Sequence, residues 1–140
     1  LAPETFRCAV AINALGDLDA WSAQSLRSPT MLTDLRRHYF GAERARLRAQ
    51  SALAAGRTTM TPVLVVHAAE DTYVPAAMGH TLYRALKEGA EATRFLELPG
   101  EGHGGWSEET TTRLFAELGR FFNETIYSYR VEMRAPEVVR

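Results

Sequence analysis

The chain has 140 residues, of which 46% are hydrophobic and 24% charged, a balance typical of a globular domain rather than a disordered segment. Its 16 basic and 17 acidic residues leave a net charge of -1, so no overall field attracts nucleic acid or an anionic membrane. No apolar run approaches the ~18 residues of a membrane span, no basic-then-apolar leader opens the sequence, and the single cysteine, Cys8, is typical of a reducing compartment. We therefore predict a cytoplasmic protein without nucleic-acid or membrane partners.

The first predicted elements are a strand and a group of helices. Residues 7–12 are apolar and rich in small or β-branched side chains, which is typical of a strand covered on both faces. Asp17 follows at a position that favours the start of a helix. Residues 31–56 have a helical pattern that is interrupted near Gly41.

The second half of the chain alternates strands with single helices. Residues 61–67 form a continuous β-branched run, which is the clearest strand pattern in the sequence. Pro75 then favours the start of a helix and Gly89 its end, and residues 93–98 have the pattern of an outer strand. Ser107 is placed to cap a last helix, in which one apolar stripe is predicted to contain Leu114, Phe115, Leu118, Phe121 and Phe122. This order predicts an α/β fold with three parallel strands and flanking helices.

Titratable side chains directly follow two of the predicted strands. Glu70 and Asp71 come after residues 61–67, and His103 comes after residues 93–98 in a glycine-rich loop. Open α/β folds keep their active sites at the carboxyl ends of parallel strands, so these side chains are expected at one edge of the sheet. An acid followed by a histidine is the second half of the Ser, Asp/Glu, His order of α/β-hydrolases, in which the carboxylate orients the imidazole base. The residues alone leave Glu70 and Asp71 nearly equal as the acid.

The nucleophile of such a site is missing from the sequence. No Gly-x-Ser-x-Gly pentapeptide occurs, although the strained turn that presents a nucleophilic serine needs those glycines. Cys8 lacks flanking glycines too, and so do the serines that precede Asp71, which are Ser22, Ser25, Ser28 and Ser51. The residues after His67 do not form a His-Glu-x-x-His motif, and no metal or other cofactor is predicted.

Residues 62–67, 71–75 and 98–104, taken together, resemble the end of the catalytic domain of the prolyl oligopeptidase family, which includes acylaminoacyl peptidases and dipeptidyl peptidases. The resemblance extends over roughly residues 3–125 and implies the C-terminal portion of an α/β-hydrolase fold. It implies that Asp71 is the acid and His103 the base of a catalytic triad. The nucleophilic serine would lie in an upstream part of the catalytic domain, before Leu1. The sequence departs from many members at Ala68, where they have glycine.

The resemblance implies a serine peptidase that hydrolyses peptide or acylamino-acyl bonds, with a peptide or acylated peptide as substrate. We expect the 140-residue chain alone to be inactive, because it lacks the nucleophile. Two alternatives stay open, a carboxylesterase-like hydrolase and a truncated, non-catalytic chain that pairs with another polypeptide. Trp21, Tyr73 and Trp106 are candidates for pocket walls or equally for core packing.

The predicted domain organisation is a peptidase-domain portion over residues 1–125 and a C-terminal extension over residues 126–140. Polar and apolar side chains alternate in this extension as in a strand, and its role is open.

Overall fold

The computed structural model describes residues 5–25 and 38–127. The strands and helices within these ranges are β1 (Ala9–Ile12), α1 (Leu18–Ser25), α2 (Arg44–Gln50), α3 (Ala52–Gly56), β2 (Val63–Ala68), α4 (Ala76–Gly89), β3 (Arg94–Leu98) and α5 (Glu108–Phe122), which continues as a π-helical turn, Asn123–Tyr127. The strands form one parallel sheet in the order β1-β2-β3. The predicted α/β fold with three parallel strands is therefore confirmed.

Strand β2 is the centre of the sheet. Ala9 of β1 pairs with Val63, and Leu64 pairs with Arg94 of β3. All six residues of β2 are buried, because its backbone is bonded on both edges and its side chains are covered on both faces. Since all three strands run in one direction, their carboxyl ends meet at the same edge of the sheet.

Helices cover both faces of the sheet. Successive side chains of a strand point to opposite faces, so β2 contributes to two separate apolar clusters. The cluster on the α5 side contains Leu64, Val66, Ala68, Leu96, Leu98, Leu114 and Phe121. The cluster on the α4 side contains Val63, Val65, Leu82 and Leu86. The sheet is thus the middle layer of three. The loops that follow the carboxyl ends of its strands lie at one edge, between the two helical layers.

The predicted helix ends are confirmed. The Asp17 carboxylate accepts a hydrogen bond from the Ala20 N–H at 3.0 Å, and the Ser107 hydroxyl accepts one from the Thr110 N–H at 3.2 Å. Helix α4 begins after Pro75 and ends at Gly89. A Cβ atom at Gly89 would lie 2.4 Å from the carbonyl oxygen of Thr59, so only glycine fits there.

Two expectations about exposure are wrong. The first strand was expected to be covered on both faces, but Ile12 in β1 is 44% exposed. The predicted stripe on α5 is narrower than expected, because Phe115 is 67% and Phe122 38% exposed. Leu114 and Phe121 are seven residues apart and face the sheet, whereas Phe115 and Phe122 lie about 100° further round the helix.

Some predicted segments lie partly or wholly outside the described residues. Residues 26–37 belong to this group, and so do residues 128–140 of the predicted extension. The first two residues of that extension, Ile126 and Tyr127, continue α5 as the π-helical turn and are not in a strand. Among the helices described, none has the length and apolar character that spanning a bilayer requires.

Candidate active site

Asp71 lies in the turn after β2, and its carboxylate is completely buried. The oxygen Oδ1 accepts hydrogen bonds from the backbone N–H groups of Tyr73 and Val74, both at 2.8 Å. Burial raises the pKa of this carboxyl group, but the bonds from Val74, His103 and Tyr73 together lower it more, so its pKa is below the ordinary value. Asp71 is therefore ionised at neutral pH and rigidly oriented.

The second oxygen of Asp71 faces His103. The Nδ1–H group of His103 donates to Oδ2 of Asp71 at 2.7 Å, which is a short distance for a charge-assisted bond. The His103 side chain is 47% exposed. Because Nδ1 is engaged by the buried carboxylate, Nε2 is the ring nitrogen that remains to exchange a proton with a reactant.

Backbone hydrogen bonds join the loops that carry the two side chains. The Ala69 N–H donates to the Leu98 carbonyl at 3.0 Å, and the Glu70 N–H donates to the Glu101 carbonyl at 2.9 Å. Gly100 and Gly105 flank His103 with φ near +73°, a conformation that the loop obtains from glycine. The structure thus brings Asp71 and His103 together, while the side chain of the alternative acid, Glu70, is exposed.

Two polar residues near these loops were not assigned a role from the sequence. The first is His67 near the end of β2, which is fully buried on the α4 side. Its Nε2–H group donates to the Val74 carbonyl at 2.8 Å, in the same turn whose N–H groups hold Asp71. A Cβ atom at Gly79 of α4 would lie 2.4 Å from Nδ1 of His67, so a glycine is needed to accommodate the ring.

The second is Asn13, directly after β1. Its side chain is hydrogen-bonded to the backbone of Ala68 and to the backbone of His103 itself. The residue has a positive φ of 44°, which asparagine tolerates better than most residues. That tolerance, together with a position at the end of a predicted strand, was the only signal for Asn13 in the sequence.

The three aromatic candidates lie around this edge in different ways. Tyr73 is 62% exposed, and its ring centroid is 5.4 Å from that of His103. Trp21 donates from Nε1 to the Tyr73 carbonyl at 2.8 Å and so supports that turn. Trp106 packs against the α5-side cluster and donates to the Gly102 carbonyl at 2.8 Å. Tyr73 is thus a wall beside the imidazole, and the two tryptophans brace the loops.

Other nucleophile candidates from the sequence are hydrogen-bonded or packed within the fold. The buried Ser51 hydroxyl accepts from the Leu18 N–H and donates to the Leu47 carbonyl, which joins α1 to the end of α2. Cys8 is half-buried beside the α5-side cluster. Within residues 5–25 and 38–127, no group of three or more His, Cys, Asp or Glu side chains is arranged to hold a metal ion.

The arrangement can act as a general base with its orienting acid. A buried, ionised carboxylate fixes one tautomer of an imidazole and stabilises the cation formed when the other ring nitrogen takes a proton. Such a pair is suited to serve as half of a catalytic apparatus for acyl transfer.

Solved structures with a similar fold are known from several organisms. A puromycin-hydrolysing peptidase from Mycobacterium tuberculosis is 20% identical, with a TM-score of 0.72, over 85% of this chain and 18% of that one. An acylaminoacyl peptidase from Pyrococcus horikoshii is 16% identical, with a TM-score of 0.66, over 84% of this chain and 20% of that one. An esterase from Pyrococcus furiosus is 14% identical, with a TM-score of 0.60, over 85% of this chain and 46% of that one. At these identities the likeness establishes an α/β-hydrolase fold.

The chain spans about a fifth of the length of the two peptidases. No curated protein sequence matches it. Residues 1–128, which are more than half of the chain, match the sequence profile of the prolyl oligopeptidase family. The match includes both loops described above, and the chain belongs to the prolyl oligopeptidase family.

Proposed function

We propose that this chain supplies the acid and the base of a serine peptidase that hydrolyses peptide or acylamino-acyl bonds through an acyl-enzyme. Asp71 is the acid and His103 the base. The single observation that carries the proposal is the 2.7 Å bond between His103 Nδ1 and Asp71 Oδ2, made by a carboxylate that is buried and held by two backbone N–H groups. Family membership and the fold support it.

In this proposal His103 Nε2 takes the proton of a serine hydroxyl as the serine oxygen attacks the carbonyl carbon of the substrate. The imidazolium returns that proton to the leaving amine when the carbon–nitrogen bond breaks, which leaves an acyl-serine. Water then attacks the acyl-serine in the same manner, with His103 again as base and then acid, and releases the carboxylic acid. Asp71 holds the imidazole and remains ionised throughout.

The serine is proposed to come from a part of the catalytic domain outside these 140 residues. Two observations support this: the sequence contains no Gly-x-Ser-x-Gly turn, and Ile12 of β1 is exposed at the loop-bearing end of the sheet. A strand paired with β1 would end beside Asn13 and present its following turn toward His103. We also propose a cytoplasmic location, which the single cysteine favours.

The test uses the full-length enzyme that carries this chain, with Asp71→Asn, His103→Ala and wild type compared on peptide anilides. Asp71→Asn is expected to lower kcat by about 10³- to 10⁴-fold, because the amide favours the wrong imidazole tautomer. His103→Ala is expected to lower kcat at least as far, and the labelling of the active serine by a fluorophosphonate should fall with it. Near-normal turnover by either variant would reject the assignment.

His80→Ala is the matched control. The His80 side chain is also 47% exposed and also contacts a carboxylate, Glu97, at 3.2 Å, but it lies on α4 away from the loops. Its removal should leave kcat and KM unchanged. A comparable loss in His80→Ala would indicate that removing any exposed histidine perturbs the enzyme.

A carboxylesterase is the second candidate, because an esterase is among the proteins of similar fold and the same Asp–His pair serves ester hydrolysis. The ratio of kcat/KM for peptide anilides to that for nitrophenyl esters of the same acyl group decides between the two. A peptidase retains turnover of the anilide, whereas an esterase hydrolyses the ester alone.

The third candidate is a non-catalytic chain that pairs with another polypeptide through β1. It predicts no fluorophosphonate labelling and no turnover in the full-length protein. Labelling that disappears in His103→Ala would exclude it.

A further inference from the structure

One buried side chain connects the carboxyl ends of all three strands. Asn13 follows β1, its Oδ1 accepts a hydrogen bond from the Ala68 N–H at the end of β2 at 2.9 Å, and its Nδ2 donates to the His103 carbonyl, in the loop after β3, at 2.9 Å. The Asn13 N–H also donates to the Val66 carbonyl at 2.9 Å. Backbone and side chain together fix Asn13 on β2.

The chemistry of the two partners requires an amide at this position. One partner is a donor N–H and the other an acceptor carbonyl, so the side chain must accept on one branch and donate on the other. Aspartate has no donor for the carbonyl, and an aliphatic side chain leaves the buried Ala68 N–H without its acceptor and the His103 carbonyl without this donor. The positive φ of Asn13 aims the amide across the strand ends, and a β-branched residue would be strained there.

We propose that Asn13 is a positioning residue for the general base: it sets the distance between the His103 loop and the Asp71 turn by holding the His103 loop to the end of β2, from which that turn continues. This inference rests on the function proposed above. The imidazole is half-exposed, and its loop contains four glycines near His103, which give the loop backbone more conformational freedom than other residues would. The bond to Asp71 orients the ring, and the bond from Asn13 holds the backbone on which the ring is mounted.

The test compares Asn13→Gly and Asn13→Asp with wild type in the full-length enzyme. Glycine tolerates the positive φ, so this variant removes the amide without adding backbone strain. Aspartate keeps the acceptor for Ala68 and replaces the donor to His103 with an oxygen. We expect both variants to lower kcat by about 10- to 100-fold with little change in KM, because a small displacement of the base slows chemistry more than binding.

A second readout follows the His103–Asp71 bond directly. The Nδ1 proton in this bond should give a low-field ¹H NMR signal that is absent in His103→Ala. In Asn13→Gly and Asn13→Asp the signal is expected to broaden or move upfield, because the loop no longer holds the ring at a fixed distance from the carboxylate.

Thr93→Val is the matched control. Thr93 is buried, and its hydroxyl accepts a hydrogen bond from the Val63 N–H at 3.2 Å, which joins two strands at the opposite, amino end of the sheet. This variant loses a bond of the same kind far from His103. It should be destabilised to a similar extent and keep wild-type kcat and the wild-type NMR signal.

The outcomes separate this inference from the function on which it rests. If wild type turns over substrate and the Asn13 variants behave like Thr93→Val in kcat and NMR signal, the positioning role is rejected and the peptidase assignment stands. If wild type shows neither turnover nor fluorophosphonate labelling, the peptidase assignment fails. The NMR comparison then still decides whether Asn13 fixes His103.

Discussion

Gly79 and Gly119 are helical glycines in opposite surroundings, and the difference decides what a methyl group does at each. A Cβ atom at Gly79 would lie 2.4 Å from Nδ1 and 2.6 Å from Cγ of the buried His67 ring. At Gly119 nothing lies within 4 Å of the same atom. The two positions therefore form a pair in which packing and helix propensity are tested separately.

We expect Gly79→Ala to lower the free energy of unfolding by about 1–3 kcal/mol, because the ring cannot move without leaving the Val74 carbonyl. Gly119→Ala is expected to raise it by up to about 1 kcal/mol, since alanine is the better helix former and meets no neighbour. Urea unfolding of both variants measures the effect. Equal stability of the two would contradict the packing described for His67.

For individual residues, the sequence indicated the side chains that are proposed to carry the chemistry, but not the residues that hold them in position. Asp71 and His103 stand out because each follows a predicted strand, and the carboxyl ends of strands in a parallel sheet lie at one edge. Asn13 acts through backbone groups that are distant in sequence, those of Ala68 and His103, and His67 through a turn whose conformation no local pattern gives. Such partners depend on the relative placement of three strands, which no local pattern contains.

Between helices, the clearest tertiary link is a set of two ion pairs that join α1 to α2. Asp19 in α1 is buried, and its carboxylate accepts from Arg44 at 2.8 and 3.0 Å and from Arg48 at 2.6 Å. The hydrogen bonds from Arg44 and Arg48 lower the pKa of Asp19 from 3.8 to about 2. The sequence predicts the helices but not this link, because a charged residue on a helix has the same pattern whether it is solvated or paired.

We expect Asp19→Asn to lower the free energy of unfolding at neutral pH. A carboxyl group whose pKa is lowered by folding stabilises the folded state above its ordinary pKa and loses that contribution as the pH falls through the folded value. The difference between wild type and Asp19→Asn should therefore be constant above about pH 5 and shrink as the pH falls from about 4 toward 2. Urea unfolding over a pH series measures it.

Asp17→Asn is the control for this experiment. It removes a negative charge two residues away, while asparagine caps the helix about as well as aspartate. Its stability should stay near that of wild type. A loss as large as that of Asp19→Asn would attribute the effect to the helix terminus rather than to the arginine pairs.

At the scale of the whole molecule, β1 is one of the two edge strands of the sheet that the described residues form. The N–H groups of Ala9 in β1 and of Asn13, directly after it, donate to the carbonyls of Pro62, directly before β2, and of Val66 in β2. The pattern of a parallel ladder then directs the N–H groups of Val10 and Ile12 to the opposite side, away from β2. The sequence predicted the strand and an exposed edge on it, but not the exposure of the Ile12 side chain, because an apolar strand has the same pattern whatever covers it.

If the upstream part of the catalytic domain pairs with β1, the amides of Val10 and Ile12 should exchange slowly in the full-length enzyme and quickly in the 140-residue chain. Val65 in the central strand should be protected in both. Hydrogen exchange followed by NMR measures these rates. Equally fast exchange of the β1 amides in both proteins would contradict strand pairing at this edge.

The two side-chain hydrogen bonds of Asn13 have a consequence for chimeras made from related enzymes. Asp71 and His103 are inherited together on one uninterrupted stretch, residues 62–107, whereas the amide that joins their loops lies 55 positions before Ala68. A chimera with its crossover at Pro62 imports the acid and the base but keeps the host's residue at position 13. A crossover upstream of β1 transfers all three side chains as one inherited block.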